Sequence, residues 1–433
     1  MVHLNVHHFT VEADRVRIAA SALSRIPSSA TVARTQLPAP ASDYNPIMRR
    51  RDLFALPAVL AAAPVPRIRS IEIFPVEYGV TGHFKFFPRP VRPTVLVKIA
   101  LEDGTYGWGQ SVPIPAWSYE TPESAAHTLR HYLAPALLGR DPRDIEGAHA
   151  EMRRVIAPSF STGMPITKAG IDIALHDILG KLARQSLPQI WKRNPSETVA
   201  LSWTLNPLTL DETGSLIEEG KRRGYRHFNI KVGPDIKFDL EFTRLVRKLI
   251  PAESFLWADA NGGYDLDSAL TIAPKLAGIG VNVLEQPVAA NRLSGFAAMK
   301  KQGALPILMD EGLVSHVELE EFIKLNLLDG VAFKPARTAG LWDAMKQLEI
   351  CEREGLLVFG SGLTDPDVSL AASLALFGAA RLKYPAALNG LQFLKGSCLK
   401  KPFVLEDGAL RVPAGPGLGV EVDEDAVRRA VVA

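Results

Sequence analysis

The sequence predicts an α/β barrel with a small α+β portion in front of it, and three observations carry that reading. From Thr198 onward short runs of β-type residues alternate with helical stretches, seven such runs recur at near-constant spacing, and polar residues stand at the C-terminal ends of successive runs. Alternation with crossover helices requires parallel strands, and seven or eight repeats close into a barrel rather than spread into an open sheet. An open doubly wound sheet is the competing architecture, but no Gly-rich phosphate fingerprint follows the first run.

The chain has 433 residues, net charge +2 and 47% apolar content, which excludes a disordered chain and a nucleic-acid-coating polycation. Cys351 and Cys398 offer neither a disulfide framework nor a metal-finger spacing. No apolar run reaches the roughly eighteen residues that a membrane span requires. Residues 1 to 63 stand apart as an extension. Within them Met48-Arg49-Arg50-Arg51 precedes an apolar run through Leu60 and a small-residue end at Ala61-Ala62-Ala63, the pattern of a twin-arginine export signal. Such signals sit at a true N-terminus, so Met48 is the expected start. A periplasmic protein is the expectation, and a cytoplasmic one if the signal is not used.

In the front portion, residues 64 to 195, the runs Arg67 to Val76 and Thr94 to Leu101 are rich in Val and Ile, and a turn at Glu102-Asp103-Gly104 leads into Gly107-Trp108-Gly109. These read as an antiparallel sheet. Helical periodicity follows from about Ser124. The clearest helix spans about Thr167 to Gln185, with Ile171, Ala174, Leu175, Ile178 and Leu182 on one face. The barrel, residues 196 to 395, takes its strands from Val199 to Leu205, His227 to Val232, Phe255 to Ala258, Val281 to Leu284, Pro306 to Met309, Gly330 to Phe333 and Gly355 to Phe359. Residues 396 to 433 form a final segment.

Barrels place their chemistry at the C-terminal ends of the strands. The second strand carries Asn229 and Lys231 there, the third Asp259 and Asn261, the fourth Glu285, the fifth Asp310 and Glu311, and the sixth Lys334. From Lys231 to Lys334 the spacings are 28, 26, 25 and 24 residues, one βα unit each, so each residue has its own strand at similar height. Converging carboxylates repel one another and lose solvation, and a divalent cation is the simplest remedy. All-oxygen ligands favour Mg²⁺ first and Mn²⁺ second. Two lysines flanking the acids suggest proton transfer on two faces of a bound ligand. A cation and partial burial would lower a lysine from its ordinary value of about 10.4 into useful range. A carboxylate substrate chelated there would become more acidic at its α-carbon. A Schiff-base lysine is the rival reading, but it leaves the acids unexplained.

These residues resemble the enolase superfamily, and within it the muconate-lactonizing and mandelate-racemase-like enzymes. The resemblance extends to Ala169 through Asp177 with Gly180-Lys181, to Asp259-Ala260-Asn261-Gly262-Gly263-Tyr264, to Glu285-Gln286-Pro287, to Asp310-Glu311 and to the tail Pro413 through Gly419. It implies a modified (β/α)₇β TIM-type barrel, a capping domain to which the C-terminal segment returns, Mg²⁺ on Asp259, Glu285 and Asp310, and Lys231 with Lys334 as the acid/base pair. The sixth-strand lysine, and no histidine near Gly360-Ser361-Gly362, point to the muconate-lactonizing subgroup. Two departures stand out: Asn229 replaces the first lysine of the usual Lys-x-Lys, and Ala386 through Gly390 lacks the Asp-x-Asp of dipeptide epimerases. In the capping loops His83, Lys85, Trp117 and Tyr119 are the candidate substrate contacts. The expected function is α-proton abstraction from a small-molecule carboxylate through an enediolate, giving racemisation, epimerisation or cycloisomerisation. Sugar-acid dehydration and a non-catalytic exported carboxylate-binding protein are the alternatives. Barrels of this family often assemble, which makes a homo-oligomer an expectation too.

Overall fold

The computed structural model of the protein describes residues 65–158, 161–233 and 235–432. The expected export signal lies outside the described residues. Among the described residues no helix is long and apolar enough to cross a membrane.

Strand β1 (Ile68–Val80) pairs antiparallel with β2 (Val91–Leu101), which pairs in turn with β3 (Tyr106–Ser111). The expected turn joins the last two. There the Asp103 carboxylate accepts from the Thr105 amide at 2.8 Å, and Gly104 takes a φ of 87°, in the region that favours glycine. Helix Pro165–Ala183 crosses this sheet, and the buried Glu120 carboxylate accepts from its first amides, Ile166 at 2.8 Å and Thr167 at 2.7 Å. Its apolar spacing predicts one buried face, yet every residue from Pro165 to Gly180 is buried. The cause is its place between two layers. Ile171, Ala174, Leu175 and Ile178 join the core of the front sheet with Val95, Val97 and Ile99, while Ala169 and Ile173 join the barrel's outer core. The approach is close enough that a β-carbon on Gly109 would overlap the Gly170 carbonyl.

After β4 (Thr198–Ala200) come the barrel strands: β5 (Ser202–Leu205), β6 (His227–Lys231), β7 (Leu256–Asp259), β8 (Val283–Glu285), β9 (Ile307–Met309), β10 (Gly330–Phe333) and β11 (Leu357–Gly360). They are hydrogen-bonded in chain order and all parallel. Closure falls to residues 386 and 387: Ala386 bridges Leu201 and Ala387 bridges Ser361, both in parallel, which supplies the eighth position. The C-terminal segment then returns to the front. Strand β12 (Leu394–Lys395) extends the front sheet beside β1, β13 (Ala409–Arg411) pairs with β4, and Val431 bridges Val76.

One buried polar cluster ties the long helix to the barrel. Asp172 sits 2.7 Å from His149 Nε2 and 3.2 Å from His176 Nδ1, and it also accepts from the amide of Leu341, the first residue of helix Leu341–Glu354. Burial opposes ionisation of Asp172, but the two imidazoles outweigh it and hold the carboxyl far below its ordinary value. Burial likewise pushes His176 down, and the Asp172 charge outweighs that and holds the imidazole above its ordinary value. Asp172→Asn is expected to cost about 3–5 kcal/mol, the range for breaking a buried pair. The sign follows from linkage. The Asp172 contribution is present above the ordinary carboxylate range, and the His176 contribution is present below the ordinary imidazole value and fades as pH rises through the raised one. Urea midpoints of the two proteins should therefore differ more at pH 6 than at pH 9.

Candidate active site

Strand pleating builds the site in two layers, because residues two apart face the same side. The lower layer holds Trp257, Val283, Leu308, Ala332, Phe359 and Ala387, which form one buried apolar cluster inside the barrel. Two residues further along the same segments stand Asp259, Glu285, Asp310, Lys334, Ser361 and Asn389. Lys231 pairs in register with Asp259, and Asp259 with Glu285, while Glu285 pairs with Leu308, two residues before Asp310, so the spacing read from the sequence brings these residues together in the barrel mouth.

Asp259, Glu285 and Asp310 are all buried, and each offers a carboxylate oxygen within 4.8 Å of the others, a set that could hold a metal ion. Glu285 Oε1 is buried without a hydrogen-bond partner, which fits an oxygen-ligand site, and no histidine or cysteine belongs to the group. Lys231 Nζ donates to Asp259 Oδ2 at 2.5 Å, and Lys334 Nζ donates to Asp310 Oδ2 at 2.5 Å. Glu285 lies between these pairs in strand order. Burial, then Asp259 and Asp310, push the Glu285 carboxyl well above its ordinary value. Burial would raise Asp310 too, but Lys334 and Arg337 outweigh it and hold that carboxyl low. Burial lowers Lys231, and Asp259 and Glu285 more than offset this, so its ammonium is held above its ordinary value. The lowering expected of this lysine therefore depends on a cation that neutralises those carboxylates. The chain turns sharply past two of the acids: Asn261 and Gln286 take φ values of 45° and 40°. Gln286 is buried, and its Oε1 accepts from the Asp310 amide at 2.8 Å.

Of the other anticipated residues, Asn229, Asn261 and Trp117 line the mouth cavity with the two lysines. Lys334 Nζ lies 4.5 Å from the Trp117 ring centroid. Glu311 accepts from Asn261 Nδ2 at 3.0 Å, and burial, then Asp310 and Asp259, push it up to about 8. Glu311 and Tyr119 line a neighbouring cavity of about 400 Å³ beyond Trp117, and the exposed Tyr119 donates its hydroxyl to the Thr162 carbonyl. His83 is exposed and does not line the mouth, and Lys85 lies over the Phe86 ring.

Two arginines were not singled out by the sequence. Arg337, in the turn Pro335–Arg337 after β10, is fully buried and donates to Asp310 Oδ1. Its signal was an arginine three residues beyond a strand-end lysine. Arg92 is fully buried and donates to the carbonyls of Pro93, Val112 and Pro113 at 2.7 Å and of Leu363 at 2.9 Å, tying the capping loop to the loop after β11. Nothing local marks it, because apart from the adjacent Pro93 its partners are backbone atoms distant in the chain.

Residues 79–191 match the mandelate racemase / muconate lactonizing enzyme N-terminal domain, and residues 213–426 match the enolase C-terminal domain-like family. The N-succinyl-L-Arg/Lys racemase of Bacillus cereus is 30% identical over 349 residues, covering 78% of this chain and 90% of that protein. A chloromuconate cycloisomerase of Cupriavidus necator is 30% identical over 325 residues, covering 74% and 86%. Among solved structures, the Bacillus cereus N-succinyl Arg/Lys racemase superimposes with a TM-score of 0.79 at 26% identity, over 85% of this chain and 98% of its own. The 2-chloromuconate cycloisomerase of Rhodococcus opacus gives 0.78 at 26%, over 84% and 99%. With both of its parts matched and relatives of this identity along most of its length, the chain belongs to the enolase superfamily, in its mandelate-racemase and muconate-lactonizing group, and is an enzyme of the isomerase class that these relatives represent.

Proposed function

We propose that the protein is a Mg²⁺-dependent racemase, epimerase or cycloisomerase that removes the proton α to a substrate carboxylate. The observation that carries this reading is the arrangement of the mouth, with Lys231 and Lys334 on the strands flanking the three that bear Asp259, Glu285 and Asp310. When bound, a divalent cation on these carboxylates supplies positive charge that stabilises the enediolate form of the substrate. Magnesium suits the donor set because hard cations prefer oxygen.

The lysines do the proton transfer. One, in its neutral form, takes the α-proton, and the other, as an ammonium, returns one from the opposite face. Because Asp259 and Glu285 hold Lys231 protonated, its basicity is coupled to neutralisation of the triad. The Trp117 ring over Lys334 Nζ screens that ammonium from water. The relatives named as racemase and cycloisomerase support this reaction class. The test is proton NMR of an acid panel in D₂O, with Mg²⁺ and with chelator. Metal-dependent loss of an α-proton signal is the expected result. No exchange across amino-acid derivatives, sugar acids and lactone precursors would overturn the proposal, and tight binding without exchange would favour a non-catalytic binding protein.

A further inference from the structure

Three segments distant in the chain wall the mouth. Phe84 and Phe86 come from the loop between β1 and β2, Ile114 and Trp117 from the turn after β3, and residues 361–364 from the loop after β11. Val112, Ile114, Ala336 and Leu363 share one buried apolar cluster, against which Phe86, Phe87 and Trp117 pack. Apolar contacts are non-directional, so they hold these segments together without fixing how each is turned. The Arg92 guanidinium supplies the direction. It is fully buried, and its two terminal nitrogens donate to four carbonyls: that of the adjacent Pro93, those of Val112 and Pro113 before the turn, and that of Leu363 in the loop. Ile114, next to Pro113, accepts in turn from the amides of Trp117 at 2.9 Å and Ser118 at 2.8 Å. The Leu363 peptide is held at both ends, because its amide donates to the buried Asp365 carboxylate at 3.2 Å. The Phe87 ring lies 5.4 Å from the guanidinium, and the Phe87 amide donates to the Phe84 carbonyl at 2.9 Å.

We propose that Arg92 is a positioning residue: it holds the turn that carries Trp117 against the loop after β11, and so keeps the Trp117 ring over Lys334 Nζ. The inference rests on the proton-transfer role proposed above for Lys334. That lysine is buried, with its ammonium 4.5 Å from the ring centroid, so displacing the ring admits water to it. Lys231 stands on β6, at the other border of the triad, and depends less on this ring. The clamp suits a guanidinium and no other cation. Four carbonyls occupy the planar fork of Arg92, whereas a lysine ammonium has its three donors on one atom and cannot span them. The hydrogen bonds of Arg92 all go to backbone carbonyls, none of them in the triad, so altering it should spare the metal site.

The test uses Arg92→Lys, Trp117→Ala and the double variant in the full-length protein. Acrylamide quenching of fluorescence, differenced against the same protein carrying Trp117→Phe, reads the accessibility of Trp117 and needs no substrate. Exchange is followed in D₂O with Mg²⁺ on each enantiomer of the amino-acid derivatives in the acid panel, and Lys334→Ala marks the enantiomer that depends on that lysine. Arg92→Lys is expected to raise the quenching of Trp117 and to preserve the gain in melting temperature on adding Mg²⁺. It should slow exchange of the Lys334-dependent enantiomer by about tenfold more than that of the other. A protein that is merely less stable would slow both alike. Trp117→Ala should show the same bias, and Arg92→Lys should add nothing to it in the double variant. Unchanged quenching, equal losses for the two enantiomers or a diminished Mg²⁺ response in Arg92→Lys would overturn the positioning role. Equal losses in Trp117→Ala would overturn it as well, even if Arg92→Lys does not fold. Raised quenching in Arg92→Lys, with no exchange from any acid in the native protein, would sustain the hold of Arg92 on Trp117 and overturn the chemistry.

Discussion

Lys334→Ala lowers metal-dependent α-proton exchange by about 10²–10⁴-fold, the range that one positioned acid/base group contributes, and Lys231→Ala does the same. The two losses differ in kind. If each lysine serves one face, each variant abolishes exchange from one enantiomer more completely than from the other, so exchange followed on separate enantiomers gives complementary patterns. The variants also differ in stability. Asp310 keeps Arg337 when Lys334 is removed, whereas among the described residues Asp259 has its ion pair with Lys231 alone. Removing Lys231 leaves a buried carboxylate without its cation, at a cost of about 3–5 kcal/mol in chelated protein. Thermal midpoints should fall further for Lys231→Ala, and Mg²⁺ should recover part of the difference. Unchanged turnover in both variants would rule out the two-lysine mechanism.

Glu285→Gln is expected to separate activity from stability. The substitution withdraws one charge from the triad, and loss of several kcal/mol of charge stabilisation corresponds to roughly 10³-fold in rate. Chelation of the native protein should abolish exchange to a similar extent. Stability should move the other way. Burial, with Asp259 and Asp310 nearby, raises the Glu285 carboxyl, so its charged form weighs against the folded state at neutral pH. A glutamine of the same shape relieves that repulsion and raises the melting temperature of the chelated protein. The native protein should gain stability when Mg²⁺ is added, and the variant should gain much less. A melting temperature that fell in Glu285→Gln, or a native protein indifferent to Mg²⁺, would contradict this account of the triad.

What could be read in advance depended on how local the signal was. The barrel and the convergence of Lys231, Asp259, Glu285, Asp310 and Lys334 were legible because strand pleating and a near-constant βα repeat are short-range properties, and together they bring residues about 25 apart to one mouth. The sequence by itself thus determined the fold class, the acidic triad and the two flanking lysines as neighbours. Only the tertiary structure decided the rest. It buried helix Pro165–Ala183 on all sides, joined Arg337 to Asp310, left His83 in solvent, put Tyr119 beyond Trp117, and set an unpaired Asn229 among apolar neighbours. Each of those outcomes depends on which segment packs against which across hundreds of residues, and side-chain burial and pairing are set by that packing rather than by neighbours in the chain.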